Sequence, residues 1–189
     1  MNLLSLAAAS SIALASSANA TEYEVDPSHT FPSFVADHMG LDNWRGKFNS
    51  TSGKIVLDKE KGEGTVELSI DPASIDYGLD KLNDWAKGPH LFDVSKYPTA
   101  TYKGKLVGFH DGIPSRVEGE LTLHGITKPV ALDIDRFKCV PHPMLKRELC
   151  GAEAKGSIRR DEFGLDAGKD YGFNMEVGLE IQVEAIAVE

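Results

Sequence analysis

The sequence predicts an all-β domain, a sandwich or barrel of antiparallel strands, on three observations. Apolar and polar residues alternate with period two in several stretches, turn residues separate those stretches at short intervals, and no βαβ rhythm appears. The chain of 189 residues is 41% hydrophobic and 26% charged, the make-up of an ordinary folded protein, and its length suits one domain.

The first segment stands apart from that domain. Met1 to Ala20 contains no Lys, Arg, Asp, Glu or His, is rich in Ala and Leu, and closes on Ala18-Asn19-Ala20. That ending is an A-x-A cleavage pattern after a short apolar run. Ser10, Ser11, Ser16 and Ser17 interrupt the run, which is too short and too small-sided for a stable membrane span. A cleaved signal peptide over residues 1–20 is therefore expected, with residues 21–189 as a single exported domain.

The strands follow in order. Tyr23–Val25, Ser33–Met39 and Gly46–Leu57 give weaker signals, and Lys61-Gly62-Glu63-Gly64 then turns the chain into Thr65–Ile70. There Val66, Leu68 and Ile70 oppose Thr65, Glu67 and Ser69. Residues 76–97 break the pattern: Leu79, Leu82 and Trp85 or Ala86 fall at helical spacing before Gly88-Pro89, with a second short helix or turn at Leu91–Val94. Thr99–Val107 resumes the sheet, and His110-Asp111-Gly112 is hairpin chemistry. Arg116–Leu123 alternates with Val117, Gly119, Leu121 and Leu123 on one face. A corner at His124–Pro129 leads to Val130, Leu132 and Ile134; Gly151–Arg160 is weaker. In the last strand Val177, Leu179, Ile181 and Val183 oppose Glu176, Glu180, Gln182 and Glu184. The spacing gives about eight or nine strands.

Such a barrel is just wide enough to pack solid or to hold one small ligand. Ala152, Ala154, Gly156, Gly119, Gly178 and Ala185 are small where a core strand would carry Leu or Val. They either open a lumen or make room for large neighbours such as Trp44, Phe48 and Tyr102, and alternation alone leaves the two readings level. Aromatic residues concentrate near the start of the domain and around the helical excursion. Phe34, Trp44, Phe48, Leu82, Trp85, Phe92, Tyr97 and Tyr102 are accordingly the candidate lining of an apolar pocket.

Charge and motif chemistry narrow the function. The net charge of −9 argues against nucleic acid and against anionic membranes, both of which need a basic surface. Cys139 and Cys150 suit one disulfide of an oxidising compartment, worth about 3 kcal/mol for so short a loop. His142 between them raises a metal alternative, but Cys-x2-His-x7-Cys is not a zinc pattern. No H-E-x-x-H, CxxC, GxSxG or phosphate loop is present. Asp161-Glu162 beside Arg159-Arg160 forms an acid–base cluster or, as in most such clusters, a solvated turn with local ion pairs.

Several stretches together resemble the YceI-like family of exported, lipocalin-like, polyisoprenoid-binding barrels. They are Tyr23–Thr30 with His38-Met39-Gly40, Gly46-Lys47-Phe48, Gly53-Lys54-Ile55, His90–Val94 running on to Tyr102, Leu121–Val130 and Arg159–Leu165. The resemblance spans residues 23–183. It implies an eight-stranded antiparallel barrel with the 76–97 excursion near its mouth and a lumen for one isoprenoid, quinone or fatty-acid-like chain. It also implies a periplasmic or secreted location and frequent homodimers. The expected partner is a small apolar amphiphile, with neither cofactor nor metal and at most transient membrane contact through apolar residues at the mouth. His38 and His124 are the weaker candidates for meeting a ligand head group. The competing readings are an enzyme acting on an amphiphile with one of these histidines as base, and an interaction domain whose barrel is packed solid.

Overall fold

Residues 20–189 are described by the structure, a computed structural model; the expected signal peptide lies outside the described residues except for Ala20. The strands are β1 (Thr21–Val25), β2 (Phe31–His38), β3 (Asp42–Phe48), β4 (Thr51–Asp58), β5 (Glu63–Ile70) and the two-residue β6 (Ile75–Asp76). After helix α1 (Asp80–Lys87) come β7 (Ala100–Val107), β8 (Arg116–Leu123), β9 (Ile126–Pro141), β10 (Glu148–Arg159) and β11 (Glu176–Ala187).

All pairings are antiparallel, and β1 joins β11 to close β1, β4, β5, β7, β8, β9, β10 and β11 into a ring of eight. The chain is thus an eight-stranded closed antiparallel barrel with one short helix among the described residues. β2 and β3 lengthen the ring. β1 and β2 share the neighbour β11 end to end, and β3 runs on into β4.

Each break in a strand has a local cause. Pro27 has no N–H to give to a ladder. The buried Thr30 hydroxyl bridges the interruption: it donates to the Glu184 carbonyl and accepts from the Glu184 N–H, both at 3.1 Å. Between β3 and β4 the 3-10 turn Pro72–Ser74 fills the gap. The Ser74 carbonyl accepts from the Asn49 N–H at 3.1 Å and its hydroxyl from the Ser50 N–H at 3.0 Å.

Two turns differ from the sequence expectation. The corner at His124–Pro129 is only the pair His124-Gly125, with φ of +52° and +76°, the tight type I′ geometry that suits the twist of a hairpin. Pro129 lies within β9, opposite Glu120; the β9–β10 ladder ends at Asp133, so β9 needs no N–H there on its other side. The excursion is shorter than 76–97. Only Asp80–Lys87 is helical, Asp76 is in β6, and the stretch after Gly88 is a series of turns without a second helix. A bulge at Asp135 reverses the alternation of β9, so that Phe137 and Cys139 face the core with Leu132 and Ile134.

Because the strands run up and down, connections 39–41, 71–99, 124–125 and 160–175 gather at one end of the barrel. The other end is filled. Tyr23, Leu57, Val66, Leu106, Val117 and Ala185 are buried there. Cys139 and Cys150, directly opposed across β9 and β10 with Cα atoms 4.0 Å apart, form a disulfide. Tyr23 donates a hydrogen bond to Glu148, which also accepts from Lys59 Nζ at 2.7 Å. Burial opposes ionisation of Glu148, but these two donors outweigh it and hold the carboxyl below its ordinary range.

Candidate functional site

The half of the barrel nearer α1 is hollow. A cavity of about 1050 Å³ opens at that end, lined by the inward residues of the alternating strands, among them Leu68, Ile70, Leu121, Leu123, Leu132 and Leu179. Farther along the same strands, Val66, Val117 and Ala185 are buried in the filled half. Tyr102 lies at the transition: it lines the cavity, and its hydroxyl donates to the Val130 carbonyl at 2.9 Å. Burial pushes its phenol up to about 12, so it is neutral at physiological pH. A lumen of this size counts against the solidly packed alternative.

The small residues did not open it. A Cβ at Gly119 would stand 2.8 Å from the Tyr102 ring and 2.5 Å from the Lys103 carbonyl, and one at Gly156 would stand 2.9 Å from Leu132. Both glycines accommodate large neighbours. Gly178 shares the outward face of β11 with Glu176 and Glu180, so the inward placement expected for it is incorrect. The cavity exists because its aliphatic walls do not reach across a ring of eight strands.

Two irregular segments build the mouth. In the first, Asp76 Oδ1 accepts from the Gly78 N–H at 2.7 Å and from Asn83 Nδ2 at 3.3 Å, while Asn83 Oδ1 accepts from the Tyr77 N–H at 2.7 Å. This clasp sets α1 so that Ala86 is fully buried and Leu82 and Trp85 line the lumen. The Phe92 N–H donates to the Ala86 carbonyl at 2.9 Å and seats Phe92 beneath the helix. A row of aromatic rings follows: Phe92 meets Phe48 edge-on at 5.6 Å, Phe48 meets Phe34 at 5.9 Å, and Phe34 meets Tyr77 edge-on at 5.4 Å.

The second segment is the 160–175 connection, which contributes Arg160, Leu165, Ala167, Tyr171 and Phe173 to the lining. Its Asp161 is in the local ion pairs expected of a solvated turn, with Arg159 at 3.0 Å and Lys169 at 2.9 Å. Arg160 is not: it faces the lumen. Its guanidinium donates to the carbonyls of Leu165 and Ala167, each at 2.7 Å. Burial lowers its pKa from the usual arginine value, although it remains a cation. Burial likewise pushes the Tyr77 phenol up to about 12, against the pull of the Arg160 charge.

Of the residues named from the sequence, Phe34, Trp44, Phe48, Leu82, Trp85, Phe92 and Tyr102 line this cavity. Tyr97 does not. It packs on the His124 ring at 4.1 Å and on Gly125, bracing the β8–β9 turn from outside. His38 and His124 are off the wall as well, so the head-group role expected of them is not supported. His38, the last residue of β2, stacks on Trp44 at 4.1 Å and takes the edge of Phe173 at 5.2 Å. His124 Nδ1 is 3.1 Å from the Phe163 carbonyl. The lining also carries polar residues that were missed: Ser33, Asp37, Asn43, Arg45, Lys81, Tyr77 and Arg160, of which Asn43, Arg45 and Lys81 are exposed and Tyr77 and Arg160 are not. One signal for Arg160 was available: it ends a period-two stretch on the same parity as Ala154 and Ile158.

One further cluster combines Ser, His and Asp. In the exposed break between β1 and β2, His29 Nδ1 is 2.8 Å from Asp26 Oδ2 and 3.0 Å from Ser28 Oγ. Both contacts use the same ring nitrogen, so the imidazole cannot relay a proton from the hydroxyl to the carboxylate as a nucleophile–base–acid triad requires. The cluster is also outside the lumen lining.

Comparison with known proteins places these features in a family. Residues 23–185 match the family model of the YceI-like domain. A UPF0312 protein of Pectobacterium carotovorum is 33% identical over 188 residues, covering 97% of this chain and 96% of that protein. Protein YceI of Escherichia coli O157:H7 is 31% identical over 189 residues, covering 98% of this chain and 97% of that protein. Among solved structures, Burkholderia cenocepacia BcnA superposes with a TM-score of 0.66 at 24% identity, covering 85% of this chain and 98% of that one. A polyisoprenoid binding domain from Saccharophagus degradans, implicated in plant cell wall breakdown, superposes with a TM-score of 0.63 at 20% identity, covering 88% and 98%.

Proposed function

The chain belongs to the YceI-like family, and from that premise we propose that it is a non-catalytic carrier or sequestering protein for one long apolar amphiphile held in the barrel lumen. The observation that carries this reading is the apolar cavity of about 1050 Å³, open at one end and lined by aliphatic and aromatic side chains. Burying a prenyl or acyl chain there gives roughly 0.8 kcal/mol per CH₂ before ordering costs. No nucleophile or base needs to be invoked. The Saccharophagus degradans domain, a polyisoprenoid binder by description, supports the same ligand class.

The reading includes export. The Ala18-Asn19-Ala20 site and the Cys139–Cys150 disulfide both suit a periplasmic or secreted protein. It also includes brief membrane contact. Leu41, Tyr171, Leu79 and Trp85 are 78%, 77%, 59% and 45% exposed around the mouth, where they can enter a bilayer surface while the acidic body keeps the visit short.

Native mass spectrometry of protein purified from an exporting host tests these statements. The expected species begins at Thr21 and carries one lipid-sized adduct, which solvent extraction removes. Both tryptophans of the chain, Trp44 and Trp85, line the lumen, so their fluorescence reports refilling. No adduct and no fluorescence change on titration with a long-chain lipid would refute the carrier reading, and an intact residue 1–20 segment would refute export.

A further inference from the structure

We propose that the ligand is a long-chain acid whose carboxylate sits just inside the mouth on Arg160 and Tyr77, with its tail running down between Leu68, Leu121 and Leu132. This rests on the carrier reading and specifies the head group that the lumen selects.

The argument begins with how Arg160 is held. It starts the 3-10 turn that follows β10, and its N–H donates to the Met175 carbonyl at 2.8 Å, so its backbone is fixed to the barrel wall. Two guanidinium nitrogens are spent on the Leu165 and Ala167 carbonyls at 2.7 Å, which orients the group. A guanidinium has five N–H donors, and others remain. The acid next in sequence, Asp161, is turned away to Arg159 and Lys169. Among the described residues no carboxylate lies within salt-bridge distance of Arg160; Asp161 and Asp166 act on its charge only from farther off, so no direct ion pair occupies the guanidinium on its lumen side.

Its companion on the wall is also a donor. The Tyr77 hydroxyl has no hydrogen-bond partner among the described residues, while the Tyr77 backbone is pinned by Asn83. The nearby acceptors are in use. The Tyr102 hydroxyl is committed to Val130, and Asp37 at the rim accepts from the Gly40 N–H at 2.9 and 3.1 Å and from the Asn174 N–H at 3.3 Å. The pair therefore presents two sets of donors and one positive charge. Its complement is an oxyanion, and a carboxylate is the one that a single long chain carries: an ammonium would meet a like charge and an alcohol would leave the cation uncompensated, while Arg45 and Lys81, also on the lining, are exposed and add to the positive field at the rim.

Delipidated protein titrated with oleic acid, oleyl alcohol and oleylamine, followed by tryptophan fluorescence, separates this inference from the reading beneath it. All three probes share a tail. Above the acid's titration range, wild type is expected to bind oleate at least about tenfold tighter than the alcohol, with the amine weakest. In Arg160→Gln the oleate advantage should vanish while the alcohol stays within about threefold of wild type, which also shows that the barrel is folded. Tyr77→Phe should weaken oleate severalfold and the alcohol less, because a neutral oxygen accepts a weaker hydrogen bond than a carboxylate, so the preference for oleate narrows. If Arg160→Gln binds neither probe, Tyr77→Phe decides: an unchanged preference for oleate overturns the proposal. Equal binding of acid and alcohol by wild type overturns the head-group assignment and leaves the carrier reading standing. Binding of none of the three overturns the carrier reading itself.

Discussion

Leu57 and Leu68 sit on the same hairpin, face the same interior and are both buried, yet truncating them should not cost the same. Leu57 belongs to the filled half; Leu68 lines the lumen. Leu→Ala deletes three carbon groups, and at about 0.8 kcal/mol each the lost transfer energy is about 2.4 kcal/mol at either site. At Leu57 the vacated space is a new void, which adds about 24 cal/mol per Å³ and brings the total to about 4 kcal/mol. At Leu68 the vacated space merges with a cavity of about 1050 Å³ that already exists, so little is added. Leu57→Ala should therefore lose about 1.5 kcal/mol more than Leu68→Ala, or about 0.7 M in urea midpoint at an m-value of about 2 kcal/mol/M. Urea titration of delipidated protein, followed by tryptophan fluorescence, measures the difference. Delipidation matters because bound lipid would stabilise the native state by mass action. Lipid titration provides the second arm, in which Leu68→Ala weakens binding and Leu57→Ala does not. Equal losses of stability, or a larger loss at Leu68, would refute the division into a filled half and a hollow half.

Other expectations follow from the same structure. Gly119→Ala would place a Cβ 2.8 Å from the Tyr102 ring and should destabilise by about 1–3 kcal/mol through overpacking, seen as a lowered thermal midpoint; an unchanged midpoint would mean that Tyr102 moves freely. Reducing the Cys139–Cys150 disulfide should remove about 3 kcal/mol, roughly 6–12 °C of melting temperature, with lipid affinity unchanged because the bond lies in the filled half. Lost binding at a temperature where the reduced barrel is still folded would contradict this. The Glu148 carboxyl is held below its ordinary range by Lys59 and Tyr23, so its stabilising contribution is complete above the unfolded-state value near 4.5 and fades as the pH falls through the lower folded-state value. Glu148→Gln should flatten the acid limb of stability against pH, and an acid limb identical to wild type would show that this carboxylate is not responsible for it.

The barrel was legible in the sequence because alternation is a local property. Arg116–Leu123 was delimited as it stands, and the inward residues of β5, β8 and β11 followed from parity alone. Where parity broke, the sequence misled. The bulge at Asp135 and the two-residue turn at His124-Gly125 depend on partner strands, and Pro129 looks like a corner until the open side of β9 is known. The mouth was half legible. Leu82, Trp85 and Phe92 were marked by helical spacing and aromatic crowding, whereas beyond Arg160 the connection up to residue 175 has no periodicity to betray that it walls the same opening.

Alternation, punctuation and composition by themselves determined an acidic all-β domain, which side of each strong strand is dry, and the family resemblance carried by its motifs. Whether the dry side encloses a solid core or a lumen was decided only by the closed ring. That is a question of volume between walls, and Gly119 and Gly156 show why composition could not answer it. Small residues suggested empty space, but they are filled by Tyr102 and Leu132, while the empty space lies between leucines that cannot reach across eight strands. The same closure turned Arg160 from one charge in a surface run into a half-buried cation on the lumen wall: parity with Ala154 and Ile158 hinted at its side, but only the fold decides that its neighbour Asp161 turns away to Arg159 and Lys169, because sequence neighbours share a charge cluster whatever way each one points.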